Sequence, residues 1–174
     1  MFTLPENAGE LLQDFISKIK HPFWVSAGTA LGLYRDKDFI QGDTDLDIAM
    51  IGHVGIENVI KLWLADYRPF REVYVDDKVM QLAFEKDDVV YDIYFHWPSE
   101  DGKNYINIAG YGMSIMPKRI YDNPVIIETK YGFLPFPNKP GEYFTIRYGQ
   151  DWEVKQEKKP FFFPIPAGTN IRGI

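Results

Sequence analysis

Nine residues, GDTDLDIAM (42–50), hold three aspartates, Asp43, Asp45 and Asp47, each two positions from the next. Carboxylates this close repel one another unless cations or protons stand among them. A calcium loop is one reading of the D-x-D-x-D pattern, but its sixth position, normally glycine, is Ile48, and its twelfth, normally a bidentate glutamate, is Val54. An acidic turn before a strand is a second reading. It accommodates Asp43 and Thr44, yet it leaves Asp47 between Leu46 and Ile48 in an apolar run, where an unpaired carboxylate is costly. Strand geometry gives the third. Side chains alternate faces, so Asp45 and Asp47 project together while Leu46 and Ile48 pack the other way. Two convergent carboxylates suit Mg²⁺ or Mn²⁺, hard cations that bridge such a pair to phosphate oxygens. A further carboxylate is then expected from elsewhere in the sheet, and Asp92 in VVYDIYFHW is the one acid inside that apolar segment.

Other chemistries find less support. With no cysteine, thiol catalysis, disulfides and thiolate metal sites are excluded. His21, His53 and His96 show no i, i+4 metal spacing and read as turn or core residues, His96 standing nearest the Asp92 segment. GYGMS (110–114) lacks the third glycine of a dinucleotide fingerprint, and no phosphate-loop or nucleophile-elbow motif occurs. A net charge of -6 disfavours binding nucleic acid through phosphate neutralisation, so a small-molecule substrate is expected. The opening MFTLPENAGELL is no signal peptide, and no run approaches a transmembrane segment, so the expectation is a cytoplasmic protein.

The elements that must position these acids follow from periodicity. Asn7 and Glu10 resemble a capping pair ahead of Leu11, Leu12, Phe15, Ile16 and Ile19 at helical spacing, and His21-Pro22 ends the run. FWVSAG (23–28) reads as a strand ending in glycine before helix-compatible TALGLYR, a junction that can bind anions. Residues 46–51 read as a buried strand and 55–66 as an amphipathic helix. FREVYV, VMQLAFE and VVYDIYFHW then follow, parted by DDK and KDD, which read as hairpin turns rather than catalytic acids. A strand at 104–109 comes next, MSIMPKRIY has no clear assignment, and a Pro/Phe-rich tail (153–174) is expected to pack on the core. Helices followed by a meander predict an α/β (α+β) fold with a mixed β-sheet flanked by helices. The 174 residues are expected to form a single domain.

The segment VSAGTALGLYRDKDFIQGDTDLDIAM resembles the signature of nucleotidyltransferase-fold enzymes, with a glycine and hydroxyl residue at a strand end and an Asp-x-Asp on the next strand. It is most similar to the LicD/fukutin family within that superfamily. Gly28-Thr29-Ala30-Leu31-Gly32, Tyr34-Arg35 and Asp43-Thr44-Asp45-Leu46-Asp47-Ile48 match that family's blocks in order, YDIYFHW sets Asp92 on its third acid, and GFLPFPNKPGEYFTIRYGQDW (132–152) resembles its closing elements. Gln41-Gly42 replaces the usual Pro-Trp, and Thr44 replaces the middle acid of the triple.

The resemblance implies a divalent-metal-dependent transferase. It would move phosphocholine or a polyol phosphate such as ribitol phosphate from a CDP-activated donor to a sugar hydroxyl of a glycan or small-molecule acceptor. Asp45, Asp47 and Asp92 would hold Mg²⁺ or Mn²⁺, two ions in all, with Asp92 also a general base. Gly28 and Thr29 amides and Arg35 would bind phosphate, and Tyr148 and Trp152 could line the pocket. Two alternatives stand beside it: transfer of a nucleotidyl group from an NTP to a small molecule or protein, and a nucleotide-binding module without catalysis.

Overall fold

A computed structural model of the chain describes residues 3–109, 112–155 and 160–173. Its first element, α1 (Ala8–Lys18), buries Leu12 and Phe15, and Asn7 occupies the N-cap position without a side-chain cap bond. Strand β1 (Trp24–Val25) is shorter than the 23–28 segment suggests. Extended backbone stops there because Ala27 adopts a left-handed φ of 45°, which turns the chain into α2 (Ala27–Leu31), continued by a π-type turn over Gly32–Asp36. Then come β2 (Asp45–Ile51) and α3 (Ile56–Trp63), both where periodicity puts them.

The meander follows as β3 (Arg68–Val75), β4 (Lys78–Lys86) and β5 (Val89–Pro98). Asp76, Asp87 and Asp88 take positive φ at its two turns, a conformation aspartate tolerates better than most residues. These acids make turns, as DDK and KDD suggest. Strands β6 (Asn104–Ala109) and β7 (Gly112–Pro117) form a hairpin, the short α4 (Lys118–Tyr121) follows, and β8 (Val125–Thr129) pairs with β9 (Gly132–Phe136) in a separate sheet. Helix α5 (Pro140–Tyr148) and strand β10 (Ile171–Arg172) complete the order. Gly110 and Tyr111 of GYGMS, and residues 156–159 of the tail, lie outside the described residues. Phe163 forms an antiparallel bridge with Met113, and β10 lies beside β3.

The main sheet runs β1-β2-β5-β4-β3-β10, with β6 and β7 attached beyond the end of β5. Among the described residues only β2 and β5 pair in parallel, so the sheet is mixed and the fold is of the expected α/β (α+β) class. That parallel pairing decides the site, since it needs the crossover that α3, β3 and β4 provide. Leu46, Ile48, Tyr91 and Ile93 are fully buried, and on their face α1 sets the Phe15 ring 4.8 Å from Tyr91. The alternate residues, the acids, occupy the opposite face. Among the described residues, no helix is long and apolar enough to cross a membrane.

Candidate active site

Register brings the acids together. In the parallel ladder Asp47 is the direct partner of Asp92, while Asp45 stands opposite Val90 one pleat away on the same face. One carboxylate oxygen from each of Asp45, Asp47 and Asp92 lies within 4.8 Å of the others. Asp47 and Asp92 are each 3% exposed, and Asp45 is half-buried. Three oxygen donors on adjacent rigid strands fit a hard divalent cation, which takes oxygen ligands.

The turn before β2 adds a fourth acid. The Asp43 carboxylate accepts a hydrogen bond from the Thr44 amide at 3.1 Å, while its Oδ2 is buried without a partner, beside Gly28. A Cβ on Gly28 would meet that oxygen at 2.9 Å, so the glycine lets the carboxylate lie against the α2 backbone. Burial, then the neighbouring Asp45 charge, raises the Asp43 carboxyl to about 7. Burial also pushes Asp47 well above the usual carboxylate range, reinforced by the charges of Asp45, Asp92 and Asp43. Asp92 rises to about 7 through burial and Asp45, although the Gln81 amide, donating to its Oδ1 at 2.8 Å, favours the ionised form. Crowded together in a buried site, these carboxyls take up protons more readily than isolated ones.

Helix α2 and the residues around it position the cluster. Thr29 is fully buried, and its hydroxyl accepts a hydrogen bond from the Asp47 amide at 2.8 Å, while its own amide faces the Asp47 carboxylate at 3.5 Å. Thr29 thus points at the acid rather than into open space, unlike Gly28, which lines the adjoining cleft. The left-handed Ala27 is held by α5, whose Tyr143 hydroxyl accepts from the Ala27 amide at 3.1 Å and lies 3.3 Å from the Ser26 hydroxyl. A non-glycine residue in that conformation costs ~1–3 kcal/mol and persists only where its surroundings enforce it.

Two hollows meet at the acids. The larger, about 800 Å³, is lined by Ser26, Gly28, Asp43, Asp45, Asp47 and Arg147, among others. The smaller, about 400 Å³, is lined by Asp92, Phe70, Arg71 and Glu85 and shares Asp45 and Tyr94 with the first. Arg35 borders the larger cleft, but its guanidinium grips Asp36 through two 2.8 Å bonds and reaches the Trp152 carbonyl at 3.4 Å. Tyr148 also lines it, and Trp152 packs against Tyr34 and Phe144. His96 is fully buried between Trp24 and Tyr121, and burial, with the charge of Arg147, lowers its pKa to about 3. A neutral imidazole follows.

Arg147 and Tyr143 are the residues that sequence reasoning did not single out. Both lie in GEYFTIRYGQDW, four apart on one helix, a spacing that sets them on one face.

Residues 20–139 match the family described as LicD/FKTN/FKRP, nucleotidyltransferase domain. Over 159 residues the chain is 27% identical to ribitol-5-phosphate transferase from Macaca fascicularis and 26% identical to that from Homo sapiens, covering 86% of this chain and 34% of each relative. It therefore spans about a third of the length of those relatives. Among solved structures, a lincosamide antibiotic adenylyltransferase with lincomycin bound is similar at a TM-score of 0.53 and 13% identity, over 82% of this chain and 85% of that one. A Thermotoga maritima protein described as a nucleotidyltransferase gives 0.52 and 12%, over 82% and 84%. At such identities the likeness concerns the fold, which is that of nucleotidyltransferases.

Proposed function

The chain belongs to the LicD/FKTN/FKRP nucleotidyltransferase-domain family, and on that premise we propose that it is a metal-dependent transferase of phospho-alcohol groups. It takes phosphocholine or a polyol phosphate of the ribitol-phosphate type from a CDP-activated donor and delivers it to a sugar hydroxyl. The observation that carries this reading is the convergence of Asp45, Asp47 and Asp92 within 4.8 Å at the junction of two hollows. Its setting in this reading is a single cytoplasmic domain.

Asp45, Asp47 and Asp92 would hold Mg²⁺ or Mn²⁺, two ions in all, which would supply charge neutralisation for phosphoryl transfer. The larger cleft receives the donor, with the Gly28 amide turned to its phosphates, and the smaller receives the acceptor. Asp92 borders only the smaller hollow. Its Oδ1 is occupied by Gln81, which leaves Oδ2 to take the proton of the acceptor hydroxyl. Thr29 serves by fixing Asp47, and Arg35 becomes a phosphate ligand only on releasing Asp36.

A thermal-shift and calorimetric screen of CMP, CDP-ribitol, CDP-choline and the four NTPs, with and without Mn²⁺, tests this assignment. Mn²⁺-dependent binding of a CDP-alcohol that is lost in Asp47→Asn is expected. Binding of NTPs alone would favour nucleotidyl transfer, and metal-independent binding unaffected by Asp47→Asn would favour a non-catalytic module.

A further inference from the structure

We infer that Arg147 is the fixed anion-binding group of the larger cleft, a buried cation whose ligand is a phosphate group, in particular the diphosphate of a nucleotide. Only the identification of that diphosphate with a CDP-activated donor rests on the function proposed above.

The cleft is acidic, and its lining cations differ in their engagements. Arg35 is committed to Asp36, and Lys155, itself mostly exposed, lies 3.4 Å from the same carboxylate. Arg147 makes no ion pair among the described residues and is 9% exposed; its side chain hydrogen-bonds that of Tyr148, but its buried Nε has no hydrogen-bond partner. A guanidinium taken out of water with part of its donor set unused is costly, and a purely structural arginine would have its fork filled. Asp47 feels its charge, as the arginine opposes the rise of that carboxyl, but no ion pair joins them.

Its surroundings hold the side chain rather than neutralise it. The Tyr148 and Phe162 rings lie 5.9 and 5.7 Å from the guanidinium carbon, and the Arg147 carbonyl accepts from the Phe161 amide at 2.6 Å. One helical turn earlier, Tyr143 ties α5 to Ser26 and Ala27. The guanidinium is thus fixed relative to both the carboxylates and the turn of α2. A planar donor fork held rigidly at the wall of a cleft matches the geometry of phosphate oxygens. It also gives the cleft an attraction for anions that does not depend on metal.

The test measures calorimetric affinities of CDP, inorganic pyrophosphate and cytidine for the wild type, Arg147→Met and Arg147→Lys, in EDTA and in Mn²⁺, with melting temperatures alongside. Loss of a charge-assisted contact predicts a roughly 10- to 100-fold weaker affinity of Arg147→Met for CDP and pyrophosphate, in EDTA as well as in Mn²⁺. Cytidine affinity is unchanged, Mn²⁺ affinity does not fall, and the melting temperature is not lowered, because an unpaired buried charge has been removed. Arg147→Lys keeps the charge but loses the fork, so its affinities fall between the two, and it decides the matter if the methionine variant does not fold. Affinity for CDP and pyrophosphate equal to wild type in the variants, or an equal loss for cytidine, overturns the assignment. Pyrophosphate binding through Arg147 without CDP binding would uphold this residue's role and reject the cytidine donor, whereas a wild type that binds neither anion rejects both.

Discussion

Replacing Asp92 with asparagine should stabilise the metal-free protein and do so only above mildly acidic pH. The substitution keeps the shape and an acceptor oxygen for the Gln81 amide, now 2.8 Å from Oδ1, while it deletes one charge from a buried cluster. The Asp92 carboxyl rises from 3.8 to about 7, by burial first and the Asp45 charge next. A folded-state pKa above the unfolded one means that the native protein binds the extra proton between ~4 and ~7, so stability is lost as pH rises through that window. About three pH units at ~1.4 kcal/mol each set a ceiling of about 4 kcal/mol. Because Asp45 and Asp47 can share the proton, ~1–3 kcal/mol is the expected gain, or roughly 3–10 °C in melting temperature for a chain of this size. Thermal melts in EDTA from pH 4.5 to 8 should therefore show equal stability of variant and wild type at the acid end and a growing advantage for the variant towards pH 8. Millimolar Mg²⁺ should reverse the order, since only the wild type retains the full ligand set and is stabilised through binding to its folded state. A variant less stable than wild type in EDTA near pH 8 would refute the claim that these carboxylates crowd one another.

Thr29→Val removes the oxygen that accepts the Asp47 amide, and urea denaturation should show a loss of ~1–3 kcal/mol together with weaker Mn²⁺ binding. Unchanged Mn²⁺ affinity would mean that Thr29 does not set Asp47. Tyr143→Phe orphans the Ala27 amide and frees a left-handed residue, so ~1–2 kcal/mol of stability should be lost and nucleotide affinity should fall with it, by denaturation and calorimetry respectively. Gly28→Ala sets a methyl group 2.9 Å from the Asp43 carboxylate, whose mobile end can yield; melting should shift by no more than about 2 °C while affinity for CDP decreases.

Much of this site was legible in the residues alone. Asp47 between Leu46 and Ile48 announces an acid on the polar side of a strand, and Asp92 does the same within VVYDIYFHW, because strand alternation is a local property. That the two become direct neighbours is set by the register of a parallel pair whose strands are 45 positions apart, which no local pattern specifies. The sequence suggests the Thr29 amide for phosphate; in the fold that amide faces the Asp47 carboxylate at 3.5 Å while the hydroxyl accepts from the Asp47 amide, an arrangement set by packing between distant segments. Nothing in the local sequence marks Arg147. Its burial depends on rings from the same helix and from the distant Phe162. Likewise the turn at Ala27 that ends β1 is braced by a tyrosine more than a hundred residues away.

Product analysis tests the central claim most directly. With Mn²⁺ and a sugar acceptor present, CDP-ribitol or CDP-choline should yield CMP together with a phospho-alcohol-modified sugar, no pyrophosphate should form from any NTP, and Asp47→Asn should abolish the reaction. Pyrophosphate release from an NTP with transfer of the nucleotidyl group, or CMP release that persists in Asp47→Asn without metal, would contradict it.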